Sequence, residues 1–306
     1  MTNEQRIKNL TVPSKKVDVV LDTDAYNEID DQFAIAYLIK NKEKLNTVKI
    51  YAAPFFLKPH NKKSESPKDG MEKSYNEILK VLSLMGENVP VLRGSDAFLS
   101  DEKTPVISDA AKDLASLAMK YSPENPLYVV AIGAITNVAS AILVNPDICE
   151  NIVVVWLGGH ALHYHDTAEF NMVQDVAAAR VVMSSGAPLV ILPCAGVVSG
   201  FTISKPELEY WFVGKNPLAT YLAENAIEEA DGYALGKPWT RVIWDVTAVA
   251  WLLNDNNCFM RSRKIETPIP SYKCIYNEKN ENVCEYVYSI KRDRLMRDLI
   301  DKICDN

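Results

Sequence analysis

Short, almost wholly apolar runs alternate with stretches of helical periodicity along the first two-thirds of the chain. The apolar runs predict strands that are buried on both faces, over Val17–Asp22, Val48–Ala53, Pro90–Arg93, Leu127–Ile132, Ile152–Leu157 and Leu189–Leu192. Helical spacing between them predicts helices over Asp30–Lys40, Met71–Met85, Ser108–Tyr121, Asn137–Val144 and Val173–Ser185. Successive strand, helix, strand units favour a parallel sheet. The sequence therefore predicts a doubly wound α/β fold with a mainly parallel sheet.

The last third of the chain is more helical. Its spacing predicts helices over Pro206–Val213, Pro217–Ala230 and Asp245–Leu253, and a charged terminal helix from Lys291. Between them, the run Tyr272–Tyr288 predicts a small β-hairpin with a polar turn at 277–282. Cys274 and Cys284 flank that turn and would face each other across it. Two reduced thiols are the preferred interpretation, because disulfides are rare in cytosolic proteins.

Polar segments follow several of the predicted strands. They are Asp22–Asp31 after the first strand, Gly133–Asn137 after the fourth and Gly158–Asn171 after the fifth. Ligands of such sheets bind beyond the carboxyl ends of the strands, so we expect these three segments to meet at one site. The polar segment Phe56–Gly70 also follows a strand. It is predicted to be a surface loop, with a lid over the site as the alternative.

The first of these segments is unusually acidic. It holds five carboxylates within ten residues, and no Lys or Arg occurs between Val17 and Ile39. Carboxylates held this close raise one another's pKa unless a cation or a shared proton compensates for their charge. The spacing does not fit an EF-hand loop, and a helix-capping role would account for only one of the five. The pattern therefore favours a site for a hard cation, with a solvated acidic turn as the alternative.

Composition limits the class of protein. A chain of 306 residues with 48% hydrophobic and 24% charged residues is typical of a globular protein, and we predict a single domain over residues 1–306. The net charge of −7 argues against a nucleic-acid partner, which requires a basic surface. The polar N-terminus has no signal-peptide pattern, and no stretch approaches the ~18 apolar residues of a membrane span. We therefore expect a cytoplasmic protein that acts on a small molecule.

An apolar strand that ends in Asp-x-Asp and is followed by Asp-Asp at the start of a helix resembles the signature of the inosine-uridine nucleoside hydrolase family, Asp-x-Asp-Pro-Gly-x-Asp-Asp. Three further segments resemble motifs of that family in the same order, namely Ala134–Ala139, Gly158–Asn171 and Trp244–Ala248. Four ordered motifs are far more specific than any one of them. The resemblance covers roughly Val17 to Leu253. It implies a single nucleoside hydrolase-like domain.

The resemblance also implies roles for individual residues. A Ca²⁺ ion would be bound by Asp24, by Asp31 as a bidentate ligand, by the backbone carbonyl of Thr136 and by Asp245. All of these are hard oxygen ligands, as calcium prefers. The implied reaction is hydrolysis of the N-glycosidic bond of a ribonucleoside through an oxocarbenium-like sugar. Calcium would orient and acidify a water, and Asp24 would remove its proton as the general base.

The remaining residues implied by the resemblance would hold the substrate. Asp30, Glu169 and Asn171 would bind sugar hydroxyls, and His163 stands where the family has a sugar-binding Asn. Trp244 replaces a histidine that the family often uses to activate the leaving base. Tryptophan cannot supply that proton, but it can stack on a base, with a buried core residue as the alternative. A dimer or tetramer is implied as well.

Two departures from the family pattern leave other functions open. Asp24 and Asp30 are six residues apart rather than four, and Glu28 lies in the longer turn. One alternative is therefore a metal-containing ribose or nucleoside binder with altered or lost hydrolase activity. Another is a haloacid-dehalogenase-type phosphatase, since Asp22-Thr23-Asp24 after an apolar strand also resembles the opening motif of that class, with Asp22 as the nucleophile.

Overall fold

An eight-stranded sheet forms the centre of the protein in a computed structural model, which describes residues 1–57 and 63–304. The strands are β1 Val17–Thr23, β2 Leu45–Ala52, β3 Val91–Arg93, β4 Leu127–Ala131, β5 Ile152–Leu157, β6 Leu189–Leu192, β7 Thr202–Ser204, β8 Thr240–Val242, β9 Met260–Pro270 and β10 Tyr276–Ile290. Their order across the sheet is β3-β2-β1-β4-β5-β6-β10-β9, and β7 pairs separately with β8. Only the β10–β9 pairing in the large sheet is antiparallel. The predicted doubly wound, mainly parallel fold and its six strands are confirmed.

Helices connect the strands and cover both faces of the sheet. They are α1 Asn3–Asn9, α2 Asp31–Lys40, α3 Pro67–Met85, α4 Asp109–Leu117, α5 Thr136–Val144, α6 Phe170–Gln174, α7 Val176–Ser184, α8 Lys205–Trp211, α9 Pro217–Ala234, α10 Val246–Trp251 and α11 Arg292–Cys304. Helix α3 begins four residues before the predicted start, because the Ser66 hydroxyl accepts from the amide of Asp69 at 3.1 Å and Pro67 occupies the first turn. No helix among the described residues is long and apolar enough to cross a membrane.

The strands are buried on both faces because a separate hydrophobic core lies on each side of the sheet. In β1, Val19 and Leu21 point to one core, where they join Phe33 of α2. Val20 points to the other core, together with Val138 of α5. Alternate residues of a strand face opposite sides, so a strand between two cores must be apolar at every position. This explains the nearly continuous apolar runs in the sequence.

The prediction for the hairpin was wrong in its register. Strand β9 pairs with β10, and the turn between them lies at 271–275, so the polar residues 277–282 are part of β10. A bulge between Asn280 and Val283 accommodates them. The hairpin is also part of the large sheet, because β10 pairs with β6. Cys274 and Cys284 are free thiols, as preferred from the sequence.

Two further differences concern local boundaries. The predicted helix Val173–Ser185 is two helices, because Asp175 leaves helical geometry and caps α7 by accepting from the amide of Ala178 at 2.9 Å. Residues 58–62 of the predicted loop or lid lie outside the described residues. From there the chain enters α3, so the C-terminal part of the predicted loop is helical.

The sheet order places a switch point between β1 and β4. From β1 the chain passes to β2 on one side, whereas from β4 it passes to β5 on the other. Loops that leave the two strands therefore diverge and open a crevice at their carboxyl ends. The acidic run follows β1 and the segment Gly133–Asn137 follows β4, so both predicted site segments lie at this crevice.

Candidate active site

A cavity of about 230 Å³ occupies the crevice. Six carboxylates line it, those of Asp24, Glu28, Asp30, Asp31, Glu169 and Asp245. Its other lining residues are Asn27, Ile132, Leu157, His160, Ala168, Phe170, Asn171, Cys194 and Trp244. Within the described part of the chain, no lysine or arginine lines this cavity. Two of the three polar segments that follow strands, Asp22–Asp31 and Gly158–Asn171, thus line the cavity, whereas Gly133–Asn137 contributes none of the lining residues.

Asp22 and Asp31 are held by neighbouring side chains at the end of β1. Asp22 is fully buried, and its Oδ1 accepts from the Asn137 amide at 2.8 Å. This contact ties β1 to the start of α5. The Thr23 hydroxyl donates to Asp31 Oδ1, which orients that carboxylate at the first turn of α2. Asp31 faces the cavity whereas Asp22 does not line it.

Asp245 reaches the same place from far along the chain. Ligand atoms of Asp30, Asp31 and Asp245 lie within 4.8 Å of one another, and all three residues are buried. The backbone amide of Asp245 donates to Asp30 Oδ2 at 3.2 Å, which joins the start of α10 to the start of α2. The approach of Asp31 to Asp245 agrees with the metal site that the resemblance implies. Asp30, expected to contact the sugar, also belongs to this tightest group of carboxylates.

Asp24 lines the cavity beside this group. It is 1% exposed, and its Oδ2 is buried without a hydrogen-bond partner among the described residues. Gly133 at the end of β4 leaves room for it, since a Cβ at that glycine would lie 3.0 Å from Asp24 Oδ1. A buried carboxylate oxygen without a partner costs free energy, so this atom marks a position where a positive or donor group is missing.

The raised pKa values of the cavity carboxylates also indicate that a positive charge is missing. Burial first, and then the charges of Asp31, Asp30 and Glu28, raise the pKa of Asp24 well above its usual range. Burial likewise raises the pKa of Asp30 and of Asp245, and that of Asp31 to about 7. These carboxylates cannot all be ionised at neutral pH without a compensating charge. The donor set consists of hard oxygens only, which fits a hard divalent cation such as Ca²⁺.

Glu169 and Asn171 form the opposite wall. Glu169 caps α6, with Oε1 accepting from the amide of Asn171 at 2.8 Å and Oε2 from the amide of Gly159 at 2.9 Å. Burial raises the pKa of Glu169 to about 7 in spite of these bonds. The Asn171 amide donates to the carbonyls of Ile132 at 3.2 Å and Leu157 at 3.1 Å, at the ends of β4 and β5. Both residues line the cavity, and the resemblance implies that they bind sugar hydroxyls.

Thr136 does not reach the cavity. It is in the first turn of α5, where its hydroxyl donates to Asp175 Oδ2 at 2.7 Å, and it is not among the lining residues. Between β4 and α5, the residue that lines the cavity is Ile132, which directly follows β4 and precedes the predicted segment. The reason is geometric: the segment turns into α5 after Ile132 and carries Thr136 away from the strand end. A backbone oxygen has no side-chain signal, so the sequence pattern could not single out Ile132.

His163, which was expected to bind the sugar, does not lie at the cavity either. His163 is exposed and packs against Tyr164, with ring centroids 5.1 Å apart, and it does not line the cavity. His160 does line it, and its Nδ1 is buried without a partner among the described residues. Burial lowers the pKa of His160, so the neutral imidazole is favoured. Trp244 packs partly buried against the core and also lines the cavity, so its position fits both of the roles considered for it.

Glu28, in the longer turn, has a partner that sequence reasoning did not find. Its Oε2 lies 3.1 Å from Arg241 Nη2, and the same nitrogen lies 3.0 Å from Glu229 Oε1. Arg241 also donates to the Tyr233 hydroxyl at 3.0 Å. The pair joins the turn after β1 to β8 and α9. Because these residues are far apart in sequence, no local pattern could have indicated the contact.

Known proteins resemble the chain in both sequence and fold. The pyrimidine-specific ribonucleoside hydrolase RihA of Citrobacter koseri is 27% identical over 210 residues, which span 60% of this chain and 66% of the relative, just under two thirds of it. The non-specific ribonucleoside hydrolase RihC of Salmonella paratyphi B is 27% identical over 209 residues, with the same shares. The structure of the plant nucleoside hydrolase PpNRh1 superimposes with a TM-score of 0.73 at 16% identity, covering 96% of this chain and 100% of that one. At that identity the structural likeness concerns the fold.

A family model decides the assignment. Residues 68–295, well over half of the chain, match the model of inosine-uridine preferring nucleoside hydrolases. The acidic run after β1 lies before the matched residues, and the structure brings it against Glu169, Asn171 and Asp245 from within them. Fold, cavity and family model agree, and they exclude the haloacid-dehalogenase class. The chain belongs to the inosine-uridine preferring nucleoside hydrolase family.

Proposed function

We propose that the protein hydrolyses the N-glycosidic bond of ribonucleosides to ribose and free base, with Ca²⁺ as its cofactor. The observation that carries this proposal is the buried carboxylate cluster, in which Asp30, Asp31 and Asp245 lie within 4.8 Å of one another and Asp24 has an unpartnered oxygen. A cation and a polyhydroxylated sugar together would supply the missing charge and the missing hydrogen bonds.

Asp24, Asp31 and Asp245 are the proposed side-chain ligands of the cation. The carbonyl of Ile132 replaces that of Thr136 as the proposed backbone ligand, because Ile132 lines the cavity and Thr136 does not. When bound, Ca²⁺ would hold two sugar hydroxyls and a water and would lower the pKa of that water. Asp30 remains the proposed sugar ligand, although its position in the tightest group also suits it to contact the cation.

The roles of the chain's own groups follow from the chemistry of the bond. Asp24 takes a proton from the attacking water, since its Oδ2 has no partner among the described residues and is buried from bulk solvent. As the bond to the base breaks, positive charge develops on the sugar, and the surrounding carboxylates stabilise it. Glu169 and Asn171 orient the sugar from the opposite wall. Their positions are rigid, because α6 and the ends of β4 and β5 hold them.

Trp244 favours one alternative within the same family. Its indole can stack on a base but cannot protonate it, so departure of a poor leaving group would lack assistance from this position. A nucleoside or ribose binder with reduced hydrolase activity would have the same cluster and the same wall. The two functions differ in turnover and not in the ligand they recognise.

A panel of purine and pyrimidine ribonucleosides, assayed for release of reducing sugar with calcium and with a chelator, tests the proposal. Calcium-dependent release of ribose from at least one nucleoside is expected. Binding of nucleosides without release supports the binder. If the calcium-loaded protein neither bound nor cleaved any of the nucleosides, both functions would be contradicted.

A further inference from the structure

A second cavity, of about 580 Å³, adjoins the first on the side of α3 and α9. Glu28 lines both cavities, so the turn after β1 forms their common border. The first cavity, at about 230 Å³, is below the ~300–1,000 Å³ typical of sites that enclose a small organic ligand. A sugar and the part of the base that stacks on Trp244 can occupy it, but the far edge of the base needs further space. The second cavity lies in the right place to supply that space.

Gln32 is the most informative residue of the second cavity. It directly follows Asp31, is 2% exposed, and lines the cavity. Its Nε2 donates to the Ala25 carbonyl at 2.7 Å and to Glu77 Oε1 at 3.3 Å. These two acceptors define which end of the amide is the nitrogen. Gln32 Oε1 is then a buried acceptor without a donor among the described residues.

Glu77 of α3 adds a second acceptor to the same wall. It is 6% exposed and lines the cavity. The Tyr221 hydroxyl of α9 and the Gln32 amide both donate to its Oε1, which leaves Oε2 for a ligand. Lys80 lies over the Tyr221 ring, 4.1 Å from its centroid. This part of the wall therefore presents oxygen acceptors, held in place by contacts between α2, α3 and α9. Lys80 and Lys63, the latter paired with Glu229, also line the cavity.

We infer that this second cavity receives the leaving base and selects bases that carry an exocyclic amino group. The inference rests on the proposed nucleoside hydrolase function and extends it to the class of base. An amino group donates to Gln32 Oε1 and Glu77 Oε2, whereas an oxo group at the same ring position brings one acceptor against another. Discrimination arises because an oxo base leaves the buried acceptors of the protein unpaired.

Matched nucleosides test the inference. Adenosine and cytidine are compared with inosine and uridine, which differ in amino against oxo substitution, by kcat/KM of the calcium-loaded protein. A preference of about tenfold or more for both amino nucleosides is expected, the effect of one buried hydrogen bond. Glu77→Gln turns the free acceptor into a donor, so it should reduce the preference several-fold. Gln32→Met removes the other acceptor and should have the same direction of effect.

Glu72→Gln is the matched control, because Glu72 lies on the same helix but pairs with Arg93 at 2.8 Å, away from the cavity. The Glu72→Gln protein should prefer amino nucleosides over oxo nucleosides by the same factor as the wild type. Dissociation constants of the four matching free bases are also measured on the calcium-loaded wild-type protein, so that the result does not depend on turnover. Absence of hydrolysis with tighter binding of the amino bases would sink the hydrolase proposal and support the inference. Equal kcat/KM and equal binding within each pair, or no binding at all, would overturn the inference.

Discussion

Removing the divalent cation should make the stability of this protein fall as the pH rises from about 4 to about 8, which is the reverse of the usual behaviour of carboxylates. The pKa of Asp31 is raised to about 7, and those of Asp24, Asp30 and Asp245 are raised as well. Without the cation, the folded protein therefore holds protons that the unfolded chain has already released. Stability is highest below the unfolded pKa and is lost as the pH passes through the folded pKa.

The structure sets the scale of this effect. Asp31 is 1% exposed, so solvent screens its charge very little. Raising its pKa from 3.8 to about 7 corresponds to roughly 4 kcal/mol at a pH well above 7, at about 1.4 kcal/mol for each pKa unit. At ~2–4 °C for each kcal/mol, the melting temperature of the chelated protein should fall on the order of 10 °C between about pH 5 and about pH 8.

Thermal unfolding, followed by circular dichroism in chelator and in excess calcium, measures this directly. Calcium keeps the ligands ionised, so its stabilising effect should be small near pH 5 and largest near pH 8. Asp31→Asn should raise the melting temperature of the chelated protein at about pH 8 and should abolish the calcium response. Asp175→Asn is the matched control, since this buried carboxylate lies outside the cavity and accepts from the amides of Leu99 and Ala178 at 2.9 Å.

The control substitution should lower the melting temperature at every pH while leaving the difference between calcium and chelator unchanged. Two results would refute the reasoning. One is a melting temperature in chelator that does not change with pH. The other is a calcium effect of the same size near pH 5 and near pH 8, because protons would then not compete with the cation.

Three further substitutions separate the proposed roles. Asp24→Asn should lower kcat by about 10²–10⁴-fold, the usual contribution of a general base; an unchanged rate of ribose release would contradict that role. Trp244→Ala should raise KM by roughly tenfold or more through lost base stacking, with Trp244→Phe close to wild type, and an equal fall in kcat for both would argue against stacking. Glu28→Gln should weaken calcium binding a few-fold at low ionic strength, since one negative charge leaves the cavity wall. Calorimetric titration should show this difference shrinking in high salt, and a difference that persisted there would point to direct ligation.

Most of the fold was predictable because its signals are local. The strands Ile152–Leu157 and Leu189–Leu192 match the predicted bounds, since a strand between two hydrophobic cores must be apolar throughout. The hairpin was not predictable in the same way. Its turn lies at 271–275 rather than 277–282, because pairing of β10 with β9 and β6 outweighs the turn preference of the polar residues. Tertiary pairing decided between two acceptable turns.

The candidate site divides along the same line. The carboxylates of the acidic run and Asp245 were identified from motif and charge, and the cavity brings together all of them except Asp22. Thr136 and His163 were expected at the site from their positions in motifs, yet Ile132 and His160 line the cavity instead. A shift of three or four residues along a loop changes which residue lines the cavity. Loops have no periodic pattern from which that residue could be predicted.

The order of residues was enough to indicate a parallel α/β sheet, one edge for ligand binding and an excess of buried negative charge. These properties depend on hydrophobic periodicity and on charge density, which are local along the chain. The contact between Glu28 and Arg241, the unpaired oxygens of Asp24 and Gln32, and the second cavity behind the turn all depend on segments far apart in sequence. Packing of α2, α3, α9 and β8 decides which of those segments come within hydrogen-bond distance and which oxygens and spaces are left between them, and that is a property of the tertiary structure alone.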